Sequence, residues 1–178
     1  MKYVRTTTTV KAPKGNRKED GGIDLFVDDT FNDGKPYRLY VGEQILIPMS
    51  IKFDIPASHV LEICNKSGVS TKSGVVVGAC ICDHGYRGVV HVNLHKGVIG
   101  TKDMYECNGQ ETEISQLTRE EKRKCIHDIY TNIVPGEKIA QGILFKISDE
   151  EIEEISDEEY TTTQTTRGEG GFGSTGRK

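Results

Sequence analysis

Residues 39–53 read LYVGEQILIPMSIKF, and this stretch indicates the fold class. Apolar residues recur at alternate positions around Ile45, Ile47 and Ile51, which is the period of a half-buried β-strand. Pro48 has no backbone N–H, so it limits the central part of the stretch to a strand end or a sheet edge. The stretch therefore predicts short β-strands.

Similar β-branched runs bounded by Gly, Asn, Asp or Ser cover residues 60–64, 75–82, 89–94 and 139–147. The polar segment 97–132 differs, because Thr118 and Glu121 form a capping-box pattern that predicts one short helix ahead of 122–127. For the acidic stretch 148–159, the pattern allows a helical turn or an edge strand and favours the strand. We therefore expect an all-β sandwich, jelly roll or small barrel with a mostly helical insertion.

The 178-residue chain has a formal net charge of −4, and its length suits one domain with a real core. No basic face for direct nucleic-acid binding is indicated. No apolar run approaches the roughly 20 residues that span a bilayer, so we expect no membrane association and a cytoplasmic location, in the host cytoplasm if the protein is viral. Five cysteines without a framework spacing favour reduced thiols.

Cys80, Cys82 and His84 lie close together in the sequence and raise the question of a zinc site. A structural zinc site needs a second group of ligands, and no second paired motif follows. Two cysteines at alternate positions also fit one face of a strand. We therefore do not expect a metal at this position.

The last twelve residues, 167–178, read RGEGGFGSTGRK. Glycines cannot build a core, but they let backbone N–H groups approach phosphate oxygens. Ser174 and Thr175 add hydroxyl donors, Arg167 adds a bidentate cation, and Phe172 offers a stacking face. From the residues alone, the segment is either a frayed terminus or a nucleotide-binding arm.

Five separated segments carry a family resemblance. In chain order they are DGGIDL at 20–25, NKSGVS at 65–70, GACICDHGYRG at 78–88, GEKIAQ at 136–141 and RGEGGFGSTG at 167–176. They resemble the five motifs of the trimeric dUTPases, and an insertion at about 100–132 is similar to those of some bacteriophage members. The resemblance implies a jelly-roll-like β domain over 1–166, with a flexible arm over 167–178 that closes over the active site. It also implies a homotrimer whose active sites each draw motifs from three chains.

The implied activity is hydrolysis of dUTP to dUMP and diphosphate by Mg²⁺-assisted attack of water on the α-phosphorus. This reaction limits uracil in DNA and supplies dUMP for thymidylate synthesis. Asp83 matches the catalytic aspartate, although local propensity equally suggests a turn residue. Tyr86 matches the floor of the sugar pocket, where it would exclude a 2′-hydroxyl; the alternative is an ordinary strand tyrosine. The hairpin at 75–83, which includes Gly78 and Cys80, would read uracil through main-chain groups.

The resemblance implies a phosphate clamp built from Lys66, Ser67, Gly68 and Gln141. Ser67 would donate to the oxygen between the α- and β-phosphates, since no histidine base accompanies it as a nucleophile would require. Asp24 would either orient the clamp or hold a metal-bound water; the alternative is a carboxylate with no other role at a turn or strand edge. The arm would add Arg167 on the outer phosphates, Phe172 over the uracil ring, and Gly171, Gly173, Ser174 and Thr175.

Two departures from the motifs leave details open. Lys66 replaces an arginine and lacks its planar fork, and Cys80 replaces a glycine in the uracil hairpin, which leaves the base specificity open. A related dCTP deaminase is one alternative, but it needs a glutamate close after the hairpin tyrosine, where Val89 and Val90 stand. A regulatory protein that binds a protein partner through 100–132 in a nucleotide-dependent way is the other.

Overall fold

The computed structural model describes residues 1–15, 19–148 and 150–162. The chain divides into two compact units, Met1–Ile147 and Ser148–Lys178, which are described separately. The described residues of the first unit form thirteen strands: β1 Lys2–Arg5, β2 Gly22–Phe26, β3 Tyr37–Tyr40, β4 Gln44–Pro48, β5 Ile51–Asp54, β6 His59–Asn65, β7 Val75–Val77, β8 Ile81–Asp83, β9 His91–Lys96, β10 Met104–Cys107, β11 Gln110–Glu113, β12 Ile129–Ile133 and β13 Lys138–Lys146. It also contains two α-helices, α1 Ser67–Ser73 and α2 Arg119–Lys124.

The strands form four sheets in which every pairing is antiparallel. The strand orders are β1-β5, β11-β10-β12-β3, β2-β13-β6-β8 and β4-β9-β7. This confirms the expected all-β, jelly-roll-like class. No helix in the described ranges is long and apolar enough to cross a membrane.

The stretch that indicated the fold class forms β3, β4 and β5. Gly42 turns the chain between β3 and β4 with a φ of 93°, and β4 ends at Pro48, as its missing N–H predicts. Ile47 and Ile51 are fully buried. The strand prediction is confirmed, and alternate burial along β5 and β9 extends the same core across two sheets.

The insertion differs from its prediction because it begins with a β-hairpin, β10–β11. The turn is Asn108-Gly109, with positive φ at both residues, and Asn-Gly is a strong signal for a two-residue hairpin turn. The mostly helical interpretation was therefore wrong for this half. The helix itself is confirmed: Thr118 and Glu121 form the capping box at the start of α2.

The insertion packs on its own small core and on β12. Ile114, Cys125 and Ile129 form a second buried cluster. The Tyr130 hydroxyl donates to Glu111 at 2.6 Å, and burial together with this bond raises the pKa of Tyr130 to about 12. Arg38 on β3 binds Glu111 at 2.6 Å, so the hairpin is attached to the main unit by specific polar contacts.

The second unit contains α3, Asp157–Thr162. The edge strand favoured for 148–159 is wrong for the described residues there, which form coil followed by the start of this helix. Ser156 accepts a hydrogen bond from the Glu159 N–H at 3.2 Å. Three acidic residues occupy the first turn, where negative charge complements the helix dipole. These local signals favour a helix over a strand.

A buried carboxylate, Asp28, ties the N-terminal segment to the core. Thr7 and Thr9 donate to it at 2.5 and 2.6 Å, and Thr30 donates through its N–H and hydroxyl at 3.0 and 2.9 Å. Burial raises the pKa of Asp28, but these hydrogen bonds, with one from Ser50, outweigh burial and hold that pKa well below its usual range. The ionised form is therefore the form that the fold stabilises.

We expect Asp28→Asn to destabilise the protein by about 1–3 kcal/mol at pH 7, because the amide replaces one acceptor oxygen with an NH2 donor that faces the N–H and hydroxyl donors around it. The folded pKa lies below the unfolded value of about 3.9, so the contribution is complete above that pH and is lost on acidification. Urea unfolding at fixed protein concentration should show the gap to wild type at pH 7 and a smaller gap at pH 3. Asp33→Asn, at an exposed carboxylate, is the control, and an equal gap at both pH values would contradict the prediction.

Candidate functional site

One sheet, β2-β13-β6-β8, carries parts of the first four motifs. Asp24 lies on β2, Gln141 on β13, and β8 ends at Asp83. Asp24 is paired with Gln141, and Gln141 is paired with Cys64 on β6. Motifs that are distant in the sequence thus reach one sheet, and two distinct groups of residues form on it.

The first group is the Asp24 cluster, which consists of Asp24, Lys66, Lys138 and Gln141. The Asp24 side chain is buried, and it binds the Lys66 ammonium at 2.7 Å and the Lys138 ammonium at 2.6 Å, one on each carboxylate oxygen. Lys138 lies within the fourth motif but was not identified from the sequence, since only the strand register shows that it faces β2.

The second and fourth motifs meet beside this cluster. The Gln141 amide donates to the Asn65 carbonyl at 3.0 Å, and the Asn65 side chain accepts from the Val77 N–H at 2.6 Å. Ser67 and Gly68 follow in the first turn of α1 and are exposed. Four of the predicted clamp residues, Lys66, Ser67, Gly68 and Gln141, therefore lie on one exposed end of the sheet.

The second group is the Asp83 cavity, a space of about 260 Å³. Its lining includes three predicted site residues, Cys80, Asp83 and Tyr86. The Tyr86 hydroxyl donates to the Val89 carbonyl at 2.8 Å, which fixes the ring at the cavity. The Asp83 carbonyl accepts from the Tyr86 N–H at 3.0 Å, so Asp83 does begin a turn. Its carboxylate is exposed at the end of β8.

The predicted hairpin at 75–83 does not form as a paired hairpin. β7 pairs with β9, whereas β8 pairs with β6 in another sheet. Gly78 donates to the Asn93 carbonyl at 2.8 Å, and the Cys80 carbonyl accepts from the Ile63 N–H at 2.6 Å. The loop between the strands thus crosses from one sheet to the next, and partners from both sheets compete successfully against pairing of β7 with β8.

Two cysteines of this region, Cys82 and Cys64, are held as protonated thiols. Burial, assisted by the negative charge of Asp83, raises the pKa of Cys82. Burial is the main cause that raises the pKa of Cys64, and the negative charge of Glu62 raises it further. In the described ranges, no three His, Cys, Asp or Glu side chains are grouped so as to hold a metal ion.

The Asp24 cluster and the Asp83 cavity lie far apart within one chain. β2 and β8 are the two edges of the four-stranded sheet, which separates them by about 14 Å at usual strand spacing. Asp83 is opposite Val60, and Asp24 lies at the level of Cys64, four residues along β6. The diagonal is roughly 20 Å, too long for both groups to contact one phosphorus atom.

Six predicted site residues, Arg167, Gly171, Phe172, Gly173, Ser174 and Thr175, lie outside the described residues. Both Asp24 oxygens bind ammonium groups, Lys66 on one and Lys138 on the other, so the carboxylate holds these two lysines in place. A carboxylate oxygen has a second lone pair, and the role of holding a metal-bound water stays a prediction.

No protein-family model matches the chain. Curated relatives do: the chain is 31% identical to the deoxyuridine 5'-triphosphate nucleotidohydrolase of Candida albicans over 149 residues, which cover 79% of this chain and 74% of the relative. It is 26% identical to the enzyme of the same name from Mus musculus over 177 residues, covering 99% of this chain and 85% of the relative.

Solved structures show the same fold. The dUTPase of Staphylococcus bacteriophage 80alpha with dUPNHPP aligns with a TM-score of 0.71 at 23% identity, covering 99% of this chain and 98% of that chain. The dUTPase from phage phi11 of S. aureus aligns with a TM-score of 0.65 at 21% identity, covering 88% and 96%. Together with the identity to the Candida albicans enzyme over most of its length, this shows that the chain belongs to the deoxyuridine 5'-triphosphate nucleotidohydrolase (dUTPase) family.

Proposed function

We propose that this protein hydrolyses dUTP to dUMP and diphosphate. The observation that carries the proposal is its family membership, established by the relative that is 31% identical. The Asp83 cavity supports it, because it combines a carboxylate, an aromatic ring and a half-buried loop in a space of about 260 Å³. In a cell, this reaction limits uracil in DNA and supplies dUMP for thymidylate synthesis.

In the proposed reaction, Asp83 accepts a proton from a water molecule as the water oxygen bonds to the α-phosphorus. The bond between that phosphorus and the oxygen bridging to the β-phosphate breaks, and diphosphate leaves with the electron pair. Carboxylates are ionised at neutral pH, so holding the water in line is the main requirement. The exposed position of Asp83 at a strand end supports access of water to it.

Tyr86 is proposed to pack against the deoxyribose and to leave no space for a 2′-hydroxyl. The hydrogen bond from its hydroxyl to Val89 supports this role, because it restrains the ring at the cavity. Gly78 and Cys80 are proposed to present main-chain groups to uracil. A buried main-chain group left unpaired by the wrong base would disfavour that base strongly.

Lys66, Ser67, Gly68 and Gln141 are proposed to bind the phosphates. The pairing of Lys66 with Asp24 supports the role, since it restrains the ammonium at an exposed sheet end. Ser67 would donate to the leaving bridging oxygen. The arm residues Arg167, Gly171, Phe172, Gly173, Ser174 and Thr175 remain predicted to close over the nucleotide, which would exclude bulk water from the reaction.

Magnesium is proposed to arrive with the substrate as the Mg²⁺–triphosphate complex. The phi11 enzyme is described with a structural Mg(II) ion. In this chain, the described residues offer no group of carboxylates for such an ion, and the Asp24 oxygens are occupied by lysines. Triphosphate oxygens are the ligands that magnesium prefers, and the ion neutralises their charge.

The active site is proposed to be shared between the chains of a homotrimer. Asp83 and the clamp must both lie within a few ångströms of the same α-phosphorus. In one chain, however, Lys66 lies six residues beyond Val60, the residue opposite Asp83, which is roughly 20 Å along an extended strand. A neighbouring chain that brings its clamp to the Asp83 cavity removes this conflict.

A panel of nucleoside triphosphates with Mg²⁺ tests the proposed activity. We expect rapid release of diphosphate from dUTP, slow reaction with UTP because Tyr86 excludes the 2′-hydroxyl, and slow reaction with dCTP and dTTP. Ammonia release from dCTP would instead indicate a deaminase. Absence of diphosphate release from dUTP would overturn the proposal.

Two further expectations stay predictions. The insertion is predicted to contact a protein partner, and the 80alpha dUTPases are described as controlling the transfer of virulence genes by a G protein-like mechanism. The ordered second core of this insertion is compatible with such a surface. A cytoplasmic location also stays a prediction.

A further inference from the structure

Helix α1 carries part of the proposed clamp, but its own packing is weak. None of its seven residues is buried, and Val69 is only partly buried against the main core. A helix of this length is not stable alone. The positions of Lys66 and Ser67 therefore depend on what holds the two ends of α1.

A buried ion pair lies at the C-terminal end of α1. Lys96 on β9 binds Asp103 at 2.6 Å, and both side chains are 0% exposed. The same ammonium donates to the carbonyls of Ser73 at 2.6 Å and Val98 at 3.1 Å. An ammonium has three donors, so these three acceptors use all of them. Lys96 thus joins α1, β9 and the segment that leads into the insertion.

The backbones also meet closely at this point. Lys102 donates to the Lys72 carbonyl at 2.9 Å. A Cβ at Gly74, where φ is +61°, would lie 2.1 Å from the Val98 carbonyl oxygen, and a Cβ at Gly100 would lie 2.2 Å from the Lys72 carbonyl oxygen. Side chains are excluded at both glycines, so residues 72–74 and 97–103 form one tight joint.

The Asp103 carboxylate accepts hydrogen bonds that connect the start of the insertion to this joint. Its Oδ2 accepts both from Lys96 and from the Gly100 N–H, each at 2.6 Å. Its Oδ1 is buried without a hydrogen-bond partner among the described residues. Burying an acceptor in this way is unfavourable, and the charge on Lys96 is the contact that offsets the cost.

We infer that Lys96 and Asp103 are positioning residues that fix α1, and thereby Lys66 and Ser67, against the root of the insertion. The assignment of the clamp rests on the proposed function, whereas the joint stands on the contacts themselves. The N-terminal end of α1 is held by Lys66 and Asp24, and the C-terminal end is held by Lys96. Loss of the second attachment leaves the clamp residues on a helix that is held at one end.

The test compares binding of dUDP and dUMP, because these nucleotides differ only in the phosphate that the clamp must hold. In the double variant Lys96→Met/Asp103→Leu, we expect the preference for dUDP over dUMP to fall by at least about tenfold, the effect of losing one well-placed charged contact. Affinity for dUMP and kcat should change less than the KM for dUTP. Replacing both charges avoids leaving one of them buried alone.

Hydrogen exchange gives a second measurement that needs no ligand. Amides of residues 67–74 should exchange faster in the double variant. Lys124→Met is the matched control, because it removes an exposed lysine of the insertion whose ion pair with Glu120 is 74% and 78% exposed, and it should change neither measurement.

The outcomes separate the two proposals. If the wild type neither hydrolyses dUTP nor prefers dUDP, the proposed function fails, and exchange at 67–74 still tests the joint. Suppose that the wild type hydrolyses dUTP and prefers dUDP to dUMP. If the folded double variant then shows the same preference for dUDP and the same slow amide exchange at residues 67–74, the inference about Lys96 and Asp103 is overturned. If the double variant does not fold, the same two measurements on the closer-fitting double variant Lys96→Gln/Asp103→Asn decide, because it also removes both charges, and unchanged values overturn the inference.

Discussion

Asp83→Asn should lower kcat for dUTP by about 10²–10⁴-fold, the usual contribution of a general base. The amide keeps the size of the side chain but cannot take a proton from water. Binding should survive, because Asp83 is not part of the Asp24 cluster that is proposed to hold the phosphates. Steady-state kinetics and the affinity for dUMP measure the two effects separately.

Asp33→Asn, which alters an exposed carboxylate outside both groups, should leave kcat unchanged. The same fall in kcat for both variants would point to a general charge effect. A variant Asp83→Asn with normal kcat and a raised KM would show that the residue binds substrate and does not act as the base.

Mixing two inactive variants should restore activity if the sites are shared. We pair an Asp83→Asn chain with a Lys66→Met chain, each of which alone should be strongly impaired. In randomly mixed trimers, about a quarter of the sites combine a normal Asp83 from one chain with a normal Lys66 from another. The mixture should therefore reach about a quarter of wild-type activity.

A site contained in one chain predicts a different result, because every chain in the mixture then carries a defect and the mixture stays inactive. Wild type mixed with the double variant Asp83→Asn/Lys66→Met gives a second comparison. Shared sites predict about a quarter of full activity in that mixture, and sites within one chain predict about half. A different affinity tag on each variant, with purification on both tags in succession, checks that mixed oligomers formed.

Much of the fold could be predicted from local patterns. The alternation around Ile47 and Ile51 predicted two strands, β4 and β5, and the capping box at Thr118 predicted α2, because both signals act over a few residues. The hairpin β10–β11 has a local signal of the same kind, the turn Asn108-Gly109. The hairpin could therefore have been predicted from the sequence, although our prediction did not include it.

What could not be predicted depends on contacts between distant segments. The partition of β7 and β8 between two sheets is decided by competition with β9 and β6, which no local pattern encodes. The binding of Lys138 to Asp24 follows from the register of β13 against β2. The burial of Lys96 and Asp103 is equally non-local, because charged residues in a polar segment normally face solvent.

The site residues follow the same division. The resemblance of the motifs identified Asp83, Tyr86 and Lys66 one by one, but it gave no distances between them. Only the strand order places Asp83 and Asp24 at opposite edges of one sheet. Because the two residues are far apart in one chain, this arrangement supports active sites that are shared between chains. Shared sites predict about a quarter of wild-type activity in the mixing experiment.

The pairing of Met104 with Tyr130 has a consequence for protein engineering. The outer part of the insertion departs and returns at adjacent points, so its removal leaves a gap that a short linker can close at little entropic cost. Joining residue 104 to residue 129 would also remove Ile114 and Cys125 from the second core and the bond from the Ile114 N–H to the Asp103 carbonyl. A foreign module inserted between these two ends, such as a fluorescent reporter, therefore has to cover Ile129 and replace that bond.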